Sequence, residues 1–298
     1  MWWKSERGTV AVLVAAALTF LLGLAALVVD GGGLLLARER LVNAVDAAAL
    51  AGVQFLPGDP SGAVQTALDY ARLNGADPAQ VTAEVEPDGR TLAVRADRSV
   101  PFFLARVLGL EKGEVKAQAK ARVGAPEAVF GVVPLGIPDQ SLVFGKLYVL
   151  KVGGGAGQQG NFGALALGGH GANVYEKNLA YGYQGWLKIG DVVETEPGNM
   201  SGPTVYGIEA RIRGHENCTW DRHDPGCPRL VVVPVYRSVA LKGRDEVEIV
   251  GFAAFFIEGV AGRGNECYVT GYFLEHLTQA ARGMDGRDYG LRTAKLIE

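Results

Sequence analysis

Residues 6–33 read ERGTVAVLVAAALTFLLGLAALVVDGGG, and the organisation of the chain turns on what this stretch is. Residues 9–29 run for 21 positions without a charge, which at about 1.5 Å per residue matches the roughly 30 Å hydrocarbon core of a bilayer. A secretory signal has a shorter apolar region, about 7–15 residues, followed by a small-residue cleavage site. Here Leu27, Val28 and Val29 lead straight into Asp30. The run is therefore expected to be a retained anchor, with the lipid bilayer as its partner. Lys4 and Arg7 precede it and Asp30 follows, so the positive-inside bias predicts a single pass through the cytoplasmic membrane. The N-terminus (1–8) is expected inside, and everything after the membrane helix (9–29) outside the cytoplasm.

Helical spacing continues past the run. Leu34, Ala37, Leu41, Ala44 and Ala48 share one face, predicting a juxtamembrane helix over 30–57. Gly31, Gly32 and Gly33 stand at its start, each costing about 1 kcal/mol against alanine in a helix interior, and they read as a local hinge at the membrane surface. The combination of ERGTVAVLVAAALTFLLGLAALVVD with LLLARERLVNAVDAAALAG resembles the N-terminal region of TadG-like proteins of the Tad (tight-adherence) type IVb pilus-assembly system. The resemblance covers about the first 55 residues, and its most specific parts are Arg7-Gly8 before the run and N-A-x-D-A-A-A-L-A-G after it. It implies a non-enzymatic component of pilus assembly or anchoring, with other pilus-assembly or pseudopilin subunits as partners. Related pseudopilins are cut after the glycine, which makes the bond between Gly8 and Thr9 the possible processing site. Those proteins carry a glutamate five residues after the cut, and this chain has Leu13 there. A processed minor pilin is the alternative reading.

The next segment, 58–124, reads as a small α+β module in the order αββαβ. Asp59 and Pro60 open an amphipathic helix carrying Val64, Ala67, Leu68 and Ala71, and Asn74-Gly75 closes it. Val81, Ala83 and Val85 alternate with polar residues, as do Leu92, Val94 and Ala96 after the PDGR turn. PFFLARVLGL reads as a short helix, and VKAQAKARV as a strand with Lys116, Lys120 and Arg122 on its outer face.

From 129 to 298 the turn-separated runs LVFGKLYVLKV, GWLKIGDVVE, TVYGIEARI, RLVVVPVYR and EVEIVGFAAFFIE predict a β-rich barrel or sandwich outside the cytoplasm. The whole chain is therefore of the α+β class behind an N-terminal membrane helix. Several motifs in this part bear on chemistry. Gly155, Gly157 and Gly160 match G-x-G-x-x-G after a strand, but no convincing helix opens behind them, so no dinucleotide cofactor is expected. His215, Cys218, His223 and Cys227 have the spacing H-x2-C-x4-H-x3-C, near that of a zinc knuckle. Outside the cytoplasm thiols oxidise, and a bridge between Cys218 and Cys227 would stabilise the loop by about 2.5–3 kcal/mol. The disulfide is the favoured reading, leaving Cys267 as a buried strand cysteine and no metal or cofactor.

Ser201, His170 and Asp191 supply the residue types of a hydrolytic triad, yet Ser201 lacks the G-x-S-x-G context. An anchored hydrolase is a lesser alternative, and no catalytic residue is assigned. Asp139, Ser141 and Val143 fail the D-x-S-x-S metal motif of the von Willebrand A domain found in many TadG-like proteins. Tyr175, Tyr181, Tyr183 and Trp186, if grouped on one exposed face, would support a surface adhesin that binds carbohydrate. A net charge of −3 and a pI near 5.9 leave no basic stripe for nucleic acid.

Overall fold

The computed structural model describes residues 6–153, 161–196, 200–224, 226–239, 246–262 and 267–297. The chain divides into two units, Met1–Arg122 with Lys295–Glu298, and Val123–Ala294.

In the first unit, α1 (Glu6–Gly52) is one unbroken helix of 47 residues. It passes through Gly31, Gly32 and Gly33 without interruption, so the expected hinge is absent. No atom outside the local backbone lies within 4 Å of where a Cβ would stand at any of the three. The helical hydrogen-bond ladder tolerates glycine on an open surface, at the usual propensity cost. A cap at Asp59, whose carboxylate accepts from the Gly62 N–H at 2.8 Å, starts α2 (Pro60–Leu73). Gly75, at φ +84°, adopts the left-handed backbone that ends it. Then β1 (Val81–Val85), β2 (Thr91–Pro101) and β3 (Lys112–Gly124) form an antiparallel ladder, β1 to β2 to β3. Between β2 and β3 the expected short helix is a single 3-10 turn, Ala105–Leu108.

The core of this unit is made of small side chains. Ala44, Val45, Ala48 and Ala49 of α1 and Ala63, Ala67 and Ala71 of α2 are fully buried, as are Leu92 and Val94 of β2. Alanine on alanine lets the two helices approach closely. At Gly52 an added Cβ would meet the Ala63 carbonyl and Leu92 Cδ2 at 2.5 Å.

The second unit contains β4 (Ala128–Phe130), β5 (Leu135–Pro138), β6 (Leu147–Gly153), β7 (Asn161–Ala164), α3 (Ala172–Tyr181), β8 (Trp186–Lys188), β9 (Val192–Glu194) and α4 (Ser201–Ile212). It continues with β10 (Leu230–Val239), β11 (Glu246–Ala261), β12 (Tyr268–Leu274), β13 (His276–Leu277), β14 (Ala281–Arg282) and β15 (Leu291–Leu296). The main sheet runs β10-β5-β7-β6-β12-β11-β9, and it curls so that β10 also pairs with β11. A smaller sheet runs β14-β4-β8.

The β-rich class agrees with the sequence pattern, but two helices do not. TVYGIEARI forms most of α4, because Ile208 is fully buried beside Gly207, where an added Cβ would meet Leu179 of α3 at 2.9 Å. The tertiary contact overrides a β-branched local preference. The core holds Phe255, Phe273, Val233, Val235 and Ile137 on the main sheet, together with Tyr175 and Leu179 from α3.

Candidate functional site

The longest-range feature of the N-terminal unit begins on α1. Reduced exposure follows one face of this helix through Ala26, Asp30, Leu34, Ala37, Leu41, Ala44 and Ala48, the three- and four-residue spacing of a helix stripe. This seam explains the NAVDAAALAG pattern. Ala44, Val45, Ala48, Ala49 and Gly52 are small or β-branched because α2 and β2 lie against them. Asp46 in the same pattern is half-buried, and burial pushes its carboxyl above the ordinary value.

Asp30 sits on the stripe at 8% exposure. Its carboxylate accepts three backbone N–H bonds from the turn before β3: from Phe103 at 2.7 Å, Leu104 at 3.0 Å and Ala105 at 2.6 Å. Burial opposes ionisation, but the three donors outweigh it and hold the carboxyl below its ordinary value of 3.8. The sequence marks Asp30 only as the charge that ends the apolar run. Its partners lie more than seventy residues away, and no local pattern announces them.

Before the seam, the helix is bare. Val12, Leu13, Phe20, Leu21, Leu27 and Val28 are 58–73% exposed and point in several directions around α1. A core helix of a soluble domain would hide such residues. Thr19 donates its hydroxyl to the Ala15 carbonyl at 2.9 Å, which satisfies the polar group without water. This is a helix long and apolar enough to cross a membrane. Gly8 and Thr9 lie in its exposed first turns.

Around the continuation of α1, a groove of about 570 Å³ is lined by Arg38, Gln80, Thr82, Arg95, Asp97 and Lys116, among others. Arg95 already faces Glu84 at 3.6 Å.

In the C-terminal unit the chemistry-bearing residues are engaged in structural work. The expected bridge between Cys218 and Cys227 is absent: all three cysteines are free thiols. The neighbouring Cys227 side chain, and then burial, hold the Cys218 thiol above its ordinary value. His223 Nδ1 meets the Thr219 carbonyl at 3.1 Å, and no group of three or more metal-ligating side chains occurs among the described residues. Cys267 is fully buried, but it stands just before β12 rather than in a strand.

Arg229, which sequence reading passed over, organises this loop. At 4% exposure it donates Nε to the Ile257 carbonyl at 2.9 Å, Nη1 to Cys218 at 2.8 Å and Nη2 to Glu258 at 3.0 Å. It lies 4.8 Å from the Phe256 ring centroid. Arg211 does the same between α4 and α3, reaching the carbonyls of Leu179 and Pro228, and burial lowers its pKa to about 10.

The triad candidates take other partners. His170 pairs with Glu194 at 2.8 Å and with the buried Glu196 at 3.6 Å, while Asp191 caps its own turn by accepting from the Lys188 N–H. Ser201 is the first residue of α4. Asp139 accepts from Tyr289 and Arg287, each at 2.8 Å.

The four aromatics do not form one face. Tyr175 is buried against Thr204, Tyr181 is 74% exposed, and Trp186 stacks under Arg282 at 4.1 Å. Gly155, Gly157 and Gly160 lie outside the described residues.

These features define a class: an α+β protein with one exposed apolar helix whose second half is built into a folded module. Residues 8–54 of the chain match the family model described as Putative Flp pilus-assembly TadE/G-like. The matched residues are the apolar run and the alanine seam together. Neither a characterised protein nor a solved structure matches the chain.

Proposed function

We propose that the protein is a non-enzymatic, single-pass anchored component of a Tad-like pilus-assembly apparatus. Residues 9–29 cross the cytoplasmic membrane with Lys4 and Arg7 inside, and the remainder stands outside. One observation carries the reading: the helix that matches the pilus-assembly family is bare over its apolar half and seamed over the rest. Bare apolar surface of this extent needs lipid or other apolar helices around it. Leu13, where a fibre-forming subunit carries a carboxylate, favours lipid and an uncut bond between Gly8 and Thr9. The processed minor pilin is the second reading, favoured by the small exposed residues Ala15, Ala16 and Ala17, which suit lateral helix packing.

Protease added to spheroplasts should digest the chain beyond Gly33 and leave a short membrane-embedded stub. Full protection of the C-terminal part would reverse the orientation.

A further inference from the structure

The turn held by Asp30 carries three large apolar side chains that nothing in its own unit covers. Phe103 is 77% exposed, Val107 79% and Leu110 56%, whereas Ala105 between them is turned inward at 7%. Isolated apolar residues on a surface need no explanation. These three share a short turn, and its position along α1 is fixed. Asp30 is the first charged residue after the 21-residue charge-free run, and its carboxylate lies 2.6–3.0 Å from the nitrogens of Phe103, Leu104 and Ala105. The turn is therefore within a side-chain length of the point where the helix leaves the hydrocarbon. The headgroup layer beyond that point is about 5–7 Å deep on each side.

The backbone of the turn suits such a place. Exposed amide donors are costly next to lipid, and here most are satisfied within the protein. Phe102 donates to the Glu111 carbonyl, residues 103–105 to Asp30, Val107 to Leu104, Gly109 to Arg106 and Leu110 to Ala105. Arg106 and Lys112 are exposed beside the apolar tip, as is Glu111, so cationic groups are available to lipid phosphates. Burying Asp30 under the turn also removes a bare carboxylate from the membrane surface. We propose that residues 102–110 dip into the interfacial layer of the bilayer that residues 9–29 cross, so the module touches the membrane through Phe103, Val107 and Leu110 as well as through its helix. The partner is lipid, chosen because the patch is continuous with the apolar helix. The inference rests on the anchored reading above.

The test places the photo-cross-linker p-benzoylphenylalanine, one position at a time, at residues 21, 103, 107 and 55 of the full chain in vesicles of phosphatidylcholine and phosphatidylglycerol. All four positions are exposed, so the probe disturbs no packing. Position 21 reports the span itself. Phe55 lies beyond Gly52, which is 22 residues of continuous helix, or about 33 Å, past Asp30. Irradiation should attach lipid at 21, 103 and 107, with at least a tenfold lower yield at 55. Lipid at 21 but not at 103 or 107 would overturn the inference and leave the anchor standing. Protein cross-links at 103 and 107 in place of lipid would overturn it in favour of a second copy or another subunit. No lipid at 21 would contradict the anchored reading, and the inference with it.

Discussion

The alanine seam of α1 and the cysteine loop of the C-terminal unit both draw the eye in the sequence, and they differ in what makes them legible. In the seam, exposure and burial alternate along one continuous helix, so a 3.6-residue period read from residues 34–48 locates the packed face directly. In the loop, His215, Cys218, His223 and Cys227 sit at the spacing of a metal site, yet their geometry is set by Arg229 and by β11. A regular element transmits local sequence into position. An irregular loop takes its position from contacts made elsewhere in the chain.

Arg229→Ala should break this comparison most severely. It removes three good charge-assisted bonds to backbone carbonyls and should cost about 3 kcal/mol. Urea unfolding of the C-terminal unit in the detergent-solubilised chain would measure it, and wild-type stability would show that the loop holds itself. The spacing motif would then be more than a bystander.

Gly52→Val is the corresponding blow to the seam. An added Cβ at 2.5 Å from the Ala63 carbonyl and Leu92 must push α2 away, costing about 2–3 kcal/mol. The same element supplies its own control. Replacing Gly31, Gly32 and Gly33 together by alanine meets no atoms and should stabilise the helix by about 1 kcal/mol per residue. If the triple variant instead loses function while gaining helix stability, flexibility at these three glycines matters after all.

Asp30 gives the smallest effect and the sharpest sign. Its carboxyl is held below 3.8 in the folded protein, so its contribution is fully present above that value and is lost as pH falls through the lower folded value. Asp30→Asn should leave stability near pH 7 modestly reduced and remove this component of acid sensitivity. Hydrogen exchange at residues 103–105 between pH 2 and pH 5 would follow it. Equal exchange in variant and parent across that range would mean the three bonds hold the turn no more firmly than an amide does.

Most of the N-terminal unit was readable from sequence for the same reason as the seam. The cap at Asp59, the left-handed Gly75 and the alternation of Val115, Ala119, Ala121 and Val123 are local signals with local consequences. The bond from Asp30 to residues 103–105 was not readable, since a lone carboxylate carries no address. The same holds for α4, where Gly207 gives room for Leu179 and tertiary packing decides the helix. The triad candidates show the limit from the other side. His170 found carboxylates, but they were Glu194 and Glu196, because β9 and the residue pair after it pass beside His170 and the turn at Asp191 does not.

On the proposed reading α1 remains whole, with residues 9–29 in the membrane and residues 26–52 seamed to the module. N-terminal sequencing of the protein from washed membranes and from sheared fibres decides whether it does. The expected result is a chain that begins upstream of Gly8 and stays with the membranes. A chain beginning at Thr9 and recovered mainly in the sheared fibres would contradict it, and would make the bare helix a subunit contact rather than an anchor.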